Sequence, residues 1–186
     1  MKGIFIKFLC LSQKGMVIYM PARIVYLGLG SNLSDRLRNL QTAVQLIADR
    51  IKVNAVSGIY ESKAEGYNNA PDFLNMVLAA ETALPLENLL VLAKVTEAAM
   101  GRKISERNAP RIIDVDILCA EDEVPLDTPT LSVPHKAMHQ RAFVLAPLNE
   151  LCPQYIHQLT KKSVEEMLGE LQGEDAEYWG ELNMAF

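Results

Sequence analysis

The feature that most constrains the fold is an alternation of strand-like runs and helical apolar spacing between residues 23 and 118. Runs of apolar and β-branched residues predict strands, and apolar residues that recur every three or four positions predict helices. Strands are predicted at Arg23 to Leu29, Val53 to Tyr60, Phe73 to Leu84 and Ile112 to Leu118. One helix is predicted to follow the first strand, capped by Ser34 or Asp35 and running to about Arg50, and a second runs from Pro85 to Gly101. The predicted order is therefore βαββαβ.

This order is typical of the ferredoxin-like α+β fold, in which an antiparallel sheet carries its helices on one face. The 186 residues are enough for one well-buried core but few for two, so we expect a single domain over residues 21–186. Beyond the core, the helical spacing of Val164, Met167, Leu168 and Leu171 predicts a C-terminal helix as an addition.

Residues 1–20 have the weak outline of a signal peptide, but Lys7 interrupts their apolar run and no cleavage site follows. The run is also too short to span a bilayer as a helix, so no membrane association is expected. We interpret this segment as a disordered extension or the product of an upstream start codon.

Charge and cysteine content limit the possible partners. The net charge of −5 argues against a general nucleic-acid-binding surface, which needs an excess of Lys and Arg. Cys10, Cys119 and Cys152 are widely spaced and form no C-x-x-C motif, so neither a disulfide framework nor a zinc site is predicted. A reducing cytosol fits this pattern best, and no obligate protein partner is evident.

Two aspartates share one face of the last predicted strand. Strand alternation puts Asp114 and Asp116 on one face and the β-branched residues between and beside them on the other. Neighbouring carboxylates repel each other unless a cation lies between them, and Mg²⁺ is usually held by one or two carboxylates plus substrate phosphates. The pattern indicates a magnesium site, and the alternative is the polar outer face of an edge strand.

A basic loop precedes these aspartates and supplies three arginines: Arg102, Arg107 and Arg111. Because the guanidinium group suits phosphate, this loop indicates a site for a metal-bound polyphosphate, unless it is a solvated loop whose charges pair with Glu106. Further along the chain, His135 could donate to a phosphate oxygen and Arg141 could neutralise a leaving group. His135 alone would instead be interpreted as a loop histidine with a structural hydrogen bond.

Glycine-rich phosphate-binding motifs are incomplete in this chain. Gly28 and Gly30 resemble the start of a dinucleotide fingerprint, but Leu33 occupies the position of its third glycine. No G-x-x-x-x-G-K-[ST] motif occurs. Any ATP phosphates would therefore have to be held by side chains and metal.

Taken together, five short motifs resemble the hydroxymethyl-dihydropterin pyrophosphokinase family over roughly Arg23 to Pro153. They are Gly30 to Leu33, Pro71 to Asn75, Glu97 with Gly101-Arg102, Pro110 to Asp116, and Val133 to His135 with Arg141 and Phe143. The resemblance implies a cytoplasmic enzyme that transfers the β,γ-pyrophosphoryl unit of ATP to the hydroxymethyl group of a reduced pterin and releases AMP, in folate synthesis. ATP and hydroxymethyl-dihydropterin are then its small-molecule substrates.

The resemblance also implies roles for individual residues. Asp114 and Asp116 would hold two Mg²⁺ ions, Asn75 would hydrogen-bond the pterin edge, and Phe73 and Phe143 would lie around the pterin ring. Nucleotide contacts are implied for Glu97, Arg102, Arg107, Arg111, His135 and Arg141. Four of these, Arg102, Arg111, His135 and Arg141, would also stabilise charge during catalysis.

The loop Arg102 to Pro110 is expected to order over the triphosphate when substrates bind. It differs from the family pattern at Ile104 and Asn108. Two alternatives stay open: a ferredoxin-like module that senses a nucleotide or metal without turnover, and a divergent family member that has lost activity.

Overall fold

The computed structural model describes residues 9–11, 17–19, 21–64, 70–102, 109–121, 124–171 and 176–183. Its strands are β1 Leu9–Leu11, β2 Val17–Tyr19, β3 Arg23–Ser31, β4 Lys52–Val56, β5 Ile59–Ser62, β6 Phe73–Thr82, β7 Asp114–Ala120, β8 Leu126–Asp127, β9 Ser132–Val133 and β10 Glu177–Gly180. Its α-helices are α1 Arg36–Ala48, α2 Leu86–Ala99, α3 Ala142–Leu151 and α4 Val164–Glu170, and a 3₁₀ turn covers Met138–Gln140.

The main sheet has the strand order β10-β5-β6-β3-β7, and β4 pairs with β6 beside β5. Every strand pair in it is antiparallel. The helices α1 and α2 fall between these strands in the chain, which gives the predicted βαββαβ order. The ferredoxin-like α+β prediction is therefore confirmed.

The two faces of the sheet pack against different helices. On one face, Val25, Leu27 and Leu29 of β3 belong to the core that includes the apolar stripes of α1 and α2. On the other face, Tyr26 belongs to a second core with residues of the C-terminal helices, among them Leu145. A sheet with apolar side chains on both faces needs a packed layer on each, and the C-terminal additions supply the second layer.

The strand predicted at Val53 to Tyr60 is interrupted in the structure, and this part of the prediction is wrong. Ser57 and Gly58 separate β4 from β5, and the Ser57 N–H donates to the Val77 carbonyl at 2.9 Å. The Ser57 hydroxyl in turn accepts from the Val77 N–H at 2.9 Å. The Ser57 hydroxyl thus takes the place of a backbone acceptor in the pairing of the strands. The spacing of apolar residues in the sequence does not reveal such a contact.

Helix ends follow the local chemistry of the sequence. The Asp35 carboxylate caps α1 by accepting from the Arg38 N–H at 3.1 Å. Pro85, predicted in the first turn of α2, lies just before it, and Gly101 adopts a φ of 83° soon after that helix ends. The predicted C-terminal helix is present as α4. No helix in the described parts of the chain is long and apolar enough to cross a bilayer.

Within residues 1–20, β1 and β2 pair as a short antiparallel ladder. The proposal that this segment is an extension of a single domain over 21–186 stays a prediction.

Candidate active site

A cavity lies over β3 on the sheet face opposite α1 and α2, and two glycines form its floor. A Cβ atom at Gly28 would lie 3.2 Å from the Leu118 side chain, and one at Gly30 would lie 3.2 Å from Asn75 Oδ1. Both glycines belong to a strand rather than to a phosphate-binding turn. They leave space for a ligand, which explains their spacing without a dinucleotide fingerprint.

The register of the sheet brings two groups of predicted site residues together across this floor. Gly30 lies opposite Asn75 on β6 and opposite Asp114 on β7. Gly28 lies opposite Asp116 in the same way. The predicted site residues that line the cavity are Phe73, Asn75, Arg111, Asp114, Asp116, Arg141 and Phe143.

Three further predicted residues do not line the cavity but connect to residues that do. Arg102 donates to Asp114, Glu97 pairs with Arg102, and the His135 N–H donates to the Leu118 carbonyl. Arg107 lies outside the described residues, as do positions 103–108 of the predicted lid loop with Ile104 and Asn108.

Asp114 is held by two arginines. Its Oδ1 accepts from Arg102 Nη1 at 2.5 Å, and its Oδ2 accepts from Arg111 Nη1 at 2.7 Å. Burial alone would raise the pKa of Asp114, but the charges of Arg102 and Arg111 outweigh it and hold this pKa below its usual value. Asp114 is therefore ionised at neutral pH.

The pKa of Asp116 is shifted in the opposite direction. Burial and then the charge of Asp114 raise its pKa to about 6. A divalent cation beside the two aspartates would favour the ionised form of Asp116, and carboxylate oxygens are ligands that Mg²⁺ prefers. The residues fit such an ion, although the described residues contain no group of three or more metal-binding side chains, so bound phosphate or water would have to complete the coordination.

Glu97 connects α2 to the strand that carries the aspartates. Its side chain is buried, and Oε1 accepts from the Val115 N–H at 2.9 Å and from Arg102 Nη1 at 2.5 Å. Lys94 Nζ lies 3.0 Å from the same oxygen. Since β7 is at the edge of the sheet, Glu97 holds this edge at the residue between Asp114 and Asp116.

Asn32 is a site-supporting residue to which the sequence analysis assigned no role. It is buried, and its Oδ1 accepts from the Arg111 N–H at 2.7 Å while its Nδ2 donates to the Pro71 carbonyl at 3.1 Å. Asn32 thereby joins the segment before β7 to the segment before β6. Its place in the turn after a buried strand was visible in the sequence, but its partners are distant in the chain.

His135 is held by two local hydrogen bonds and is neutral at pH 7. Its backbone N–H donates to the Leu118 carbonyl at 2.7 Å, and its Nδ1 accepts from the Ala137 N–H at 3.3 Å. The ring proton of the neutral form therefore resides on Nε2. Burial, and then the charge of Arg141, lower the pKa of His135, so the neutral form prevails at pH 7.

Two arginine–aromatic contacts are found at the cavity. The guanidinium carbon of Arg111 lies 5.7 Å from the centre of the Phe73 ring, and that of Arg141 lies 5.7 Å from the centre of the Phe143 ring. Such contacts orient the rings and bring positive charge to their edge of the cavity.

The fold and the cavity define a class of ferredoxin-like α+β protein. In this class the cavity over the central strand has one wall of aromatic rings and an amide and another wall of carboxylates and arginines. Residues 26–153 match the family described as 7,8-dihydro-6-hydroxymethylpterin-pyrophosphokinase (HPPK), and the chain belongs to this family.

Relatives of known name agree with this assignment. The 2-amino-4-hydroxy-6-hydroxymethyldihydropteridine pyrophosphokinase of Aquifex aeolicus is 42% identical over 142 residues, which cover 76% of this chain and 88% of the relative. The protein of the same name from Bacillus subtilis is 39% identical over 145 residues, covering 77% of this chain and 86% of the relative.

The crystal structure of wild-type Plasmodium falciparum HPPK-DHPS with SDX-DHP has a similar fold, with a TM-score of 0.64 at 16% identity. The match covers 88% of this chain and 46% of that one, so this chain spans under half of its length.

The family carries out ATP-dependent pyrophosphoryl transfer in folate biosynthesis, and this chain is a diphosphate transferase of that kind. A binding module without turnover is not favoured by these relationships.

Proposed function

We propose that the cavity over β3 is where this chain transfers the β,γ-pyrophosphoryl unit of ATP to the hydroxymethyl group of 6-hydroxymethyl-7,8-dihydropterin, with release of AMP. The observation that carries the proposal is the register across Gly30, which sets Asn75 on one side and Asp114 on the other. The heterocycle that receives the transferred group and the metal-bound polyphosphate need different surroundings. The two substrates must also lie close together in one cavity to react.

The pterin binds at the β6 wall. A flat, polar heterocycle needs an apolar slot with a few polar anchors. Phe73 and Phe143 supply the aromatic surfaces, and Asn75 supplies the anchor. Asn75 is buried and lines the cavity, so a hydrogen bond formed there is shielded from water.

Asp114 and Asp116 would hold the Mg²⁺, with two ions expected, and the ATP phosphates would supply further oxygen ligands. When bound, the metal neutralises charge on the phosphates and helps to align the reacting groups. Asp114 is already ionised beside Arg102 and Arg111, so it is ready to act as a ligand. These two arginines then turn toward phosphate oxygens, joined by Arg107 from the loop.

His135 and Arg141 stabilise the charge that moves onto the leaving group. Neutral His135 donates from Nε2 to a phosphate oxygen, and Arg141 contributes its positive charge. This reaction asks for positioning and charge neutralisation rather than for a covalent intermediate on the protein. We propose that it takes place in the cytoplasm, since Cys119 and Cys152 are both free thiols.

The direct experiment is to incubate the protein with ATP, Mg²⁺ and the pterin alcohol and to follow AMP. Pterin-dependent AMP formation with a pyrophosphorylated pterin product supports the proposal. A protein that binds both substrates but forms no AMP is the inactive family member instead.

A second experiment addresses the pterin wall. Asn75→Ala is expected to weaken pterin binding roughly tenfold or more, because a buried polar edge of the heterocycle loses its partner. Calorimetry should show nearly unchanged affinity for a non-hydrolysable ATP analogue. Unchanged pterin affinity in this variant would remove Asn75 from the site.

A further inference from the structure

The pairing of β5 with β6 ends at the cavity. Its last pair is Ser62 with Phe73, and both residues line the cavity. The neighbouring pair, Glu61 with Leu74, lies on the other face of the sheet, because side chains alternate along a strand. The end of a strand pair frays readily, since no further strand bonds follow it. The position of Ser62 and Phe73 therefore depends on side-chain contacts to this end.

Arg36, the first residue of α1, contacts both strands at this end. Its Nη1 donates to Glu61 Oε1 on β5 at 2.7 Å and to the Asp72 carbonyl, directly before β6, at 2.7 Å. The Arg36 and Glu61 side chains are only 26% and 32% exposed, and charge-assisted bonds of this kind are among the stronger ones in proteins. Lys63 also pairs with the Asp72 carboxylate, but Lys63 is 74% exposed, and exposed ion pairs contribute little. Arg36 is therefore the stronger of these two contacts to Asp72.

The place of Arg36 in the helix indicates that it does not serve the helix itself. A helix N-terminus carries a partial positive charge, so a cation in the first turn is unfavourable there. Arg36 and Arg38 both lie in this turn, which has no acidic residue. Arg38 is exposed, and it is its backbone N–H that donates to the Asp35 cap. Arg36 differs from Arg38 in that its side chain joins β5 to the start of β6.

We propose that Arg36 is a positioning residue for the pterin, which holds the strand ends that carry Ser62 and Phe73 from the opposite face of the sheet. The inference rests on the proposed function, which puts a pterin in this cavity. Arg36 is not among the residues that line the cavity, so it acts through the wall and not by touching the ligand. A ring such as Phe73 that is free to shift loses contacts with a bound heterocycle and must be ordered when the ligand binds.

The test is calorimetry on the full chain with 6-hydroxymethylpterin, in the presence of Mg²⁺ and a non-hydrolysable ATP analogue. Arg36→Ala should bind the pterin roughly fivefold or more weakly, because Ser62 and Phe73 lose their support. Its affinity for the ATP analogue should stay within about twofold of the parent, since Asp114 is on β7, beyond β3, and distant sites act independently. That affinity also reports that the variant folds. The matched control Arg38→Ala removes the same unfavourable charge from the helix and should bind both ligands as the parent does.

Steady-state rates of AMP formation give a second readout. In Arg36→Ala the KM for the pterin should rise roughly fivefold or more while kcat at saturating pterin stays near that of the parent, as expected when only binding is lost. Glu61→Gln keeps an oxygen acceptor for Arg36 and should retain the KM of the parent, whereas Glu61→Ala should raise it.

Parent-like pterin affinity in Arg36→Ala would overturn the inference, and so would an equal loss in Arg38→Ala. Equal weakening of the pterin and the ATP analogue would overturn it as well, because it would indicate a general loss of structure. Asn75→Ala, measured alongside, tests the underlying proposal. If it weakens pterin binding while Arg36→Ala does not, the pterin site stands and only the role of Arg36 is wrong. If Asn75→Ala binds the pterin as the parent does, the pterin site itself is wrong.

Discussion

Asp114 and Asp116 occupy alternate positions of one strand, yet their charges are balanced differently. Asp114 is paired with Arg102 and Arg111, whereas Asp116 has its pKa raised to about 6 by burial and by Asp114. In the unfolded chain an aspartate ionises near pH 4, at a pKa of about 3.9. The folded protein therefore binds this proton more tightly than the unfolded chain, and the contribution of Asp116 to stability falls as the pH rises from about 4 to about 6.

Asp116→Asn removes this cost of ionisation. In metal-free buffer at pH 8, its free energy of unfolding should exceed that of the parent by on the order of 1–3 kcal/mol, and the gain should shrink toward pH 4. Urea denaturation at both pH values measures it. Asp114→Asn is the matched comparison: it breaks two ion pairs of a group whose pKa is lowered, so it should destabilise at pH 8. Equal effects of the two substitutions would contradict the charge assignment.

Gly30 supports the cavity by lacking a side chain. An added methyl group would lie 3.2 Å from Asn75 Oδ1 and 3.5 Å from the Phe73 ring. Gly30→Ala should therefore weaken pterin binding by roughly tenfold or more while affecting the ATP analogue little.

Gly169→Ala is the control, because nothing lies within 4 Å of its added Cβ and the residue is in a helix. It should leave binding unchanged and stabilise the protein by about 0.5–1 kcal/mol. Full pterin affinity in Gly30→Ala would show that the ligand does not reach this floor.

At the scale of elements, the edge strand β7 depends on α2 for its position. Glu97 Oε1 accepts from the Val115 N–H and from Arg102. Glu97→Ala leaves the Val115 N–H without this acceptor, while Arg102 keeps Asp114, and should lower the free energy of unfolding by about 1–3 kcal/mol. Glu97→Gln retains an acceptor for the Val115 N–H and should lose less. Hydrogen exchange at Val115 should accelerate in the alanine variant; protection equal to that of the parent would mean that Glu97 does not hold this edge.

The order of the elements could be predicted because burial imposes periodicity on the sequence. Ile113, Val115 and Ile117 alternate with Asp114 and Asp116, and the structure buries the three apolar side chains on the helix side. What periodicity could not predict were contacts made by polar side chains between distant segments. Ser57 interrupts a predicted strand, and Asn32 reaches Arg111 and Pro71. Each needs the folded sheet to bring its partners near.

At the scale of the whole molecule, one face of the sheet serves only the core, and the other face also carries the candidate site. One face is covered by α1 and α2, and the other is shared between the core of α3 and α4 and the cavity. The last strand, β10, pairs with β5 and lies outside the residues that match the family. Because β5 carries the groups that bond to the Asn75 amide, this C-terminal strand extends the sheet beside the wall at which we propose that the pterin binds.

The proposed transfer reaction depends on the aspartate pair Asp114 and Asp116. AMP formation from ATP and the pterin alcohol should be measured over a Mg²⁺ titration for the parent, Asp114→Asn, Asp116→Asn and the control Asp127→Asn. Asp127 is exposed and is not among the residues that line the cavity. Each of the two site variants should lose roughly 100-fold or more in rate, because a hard anionic ligand and a charge are removed. The control should match the parent. Full activity of either site variant at limiting Mg²⁺ would contradict the account.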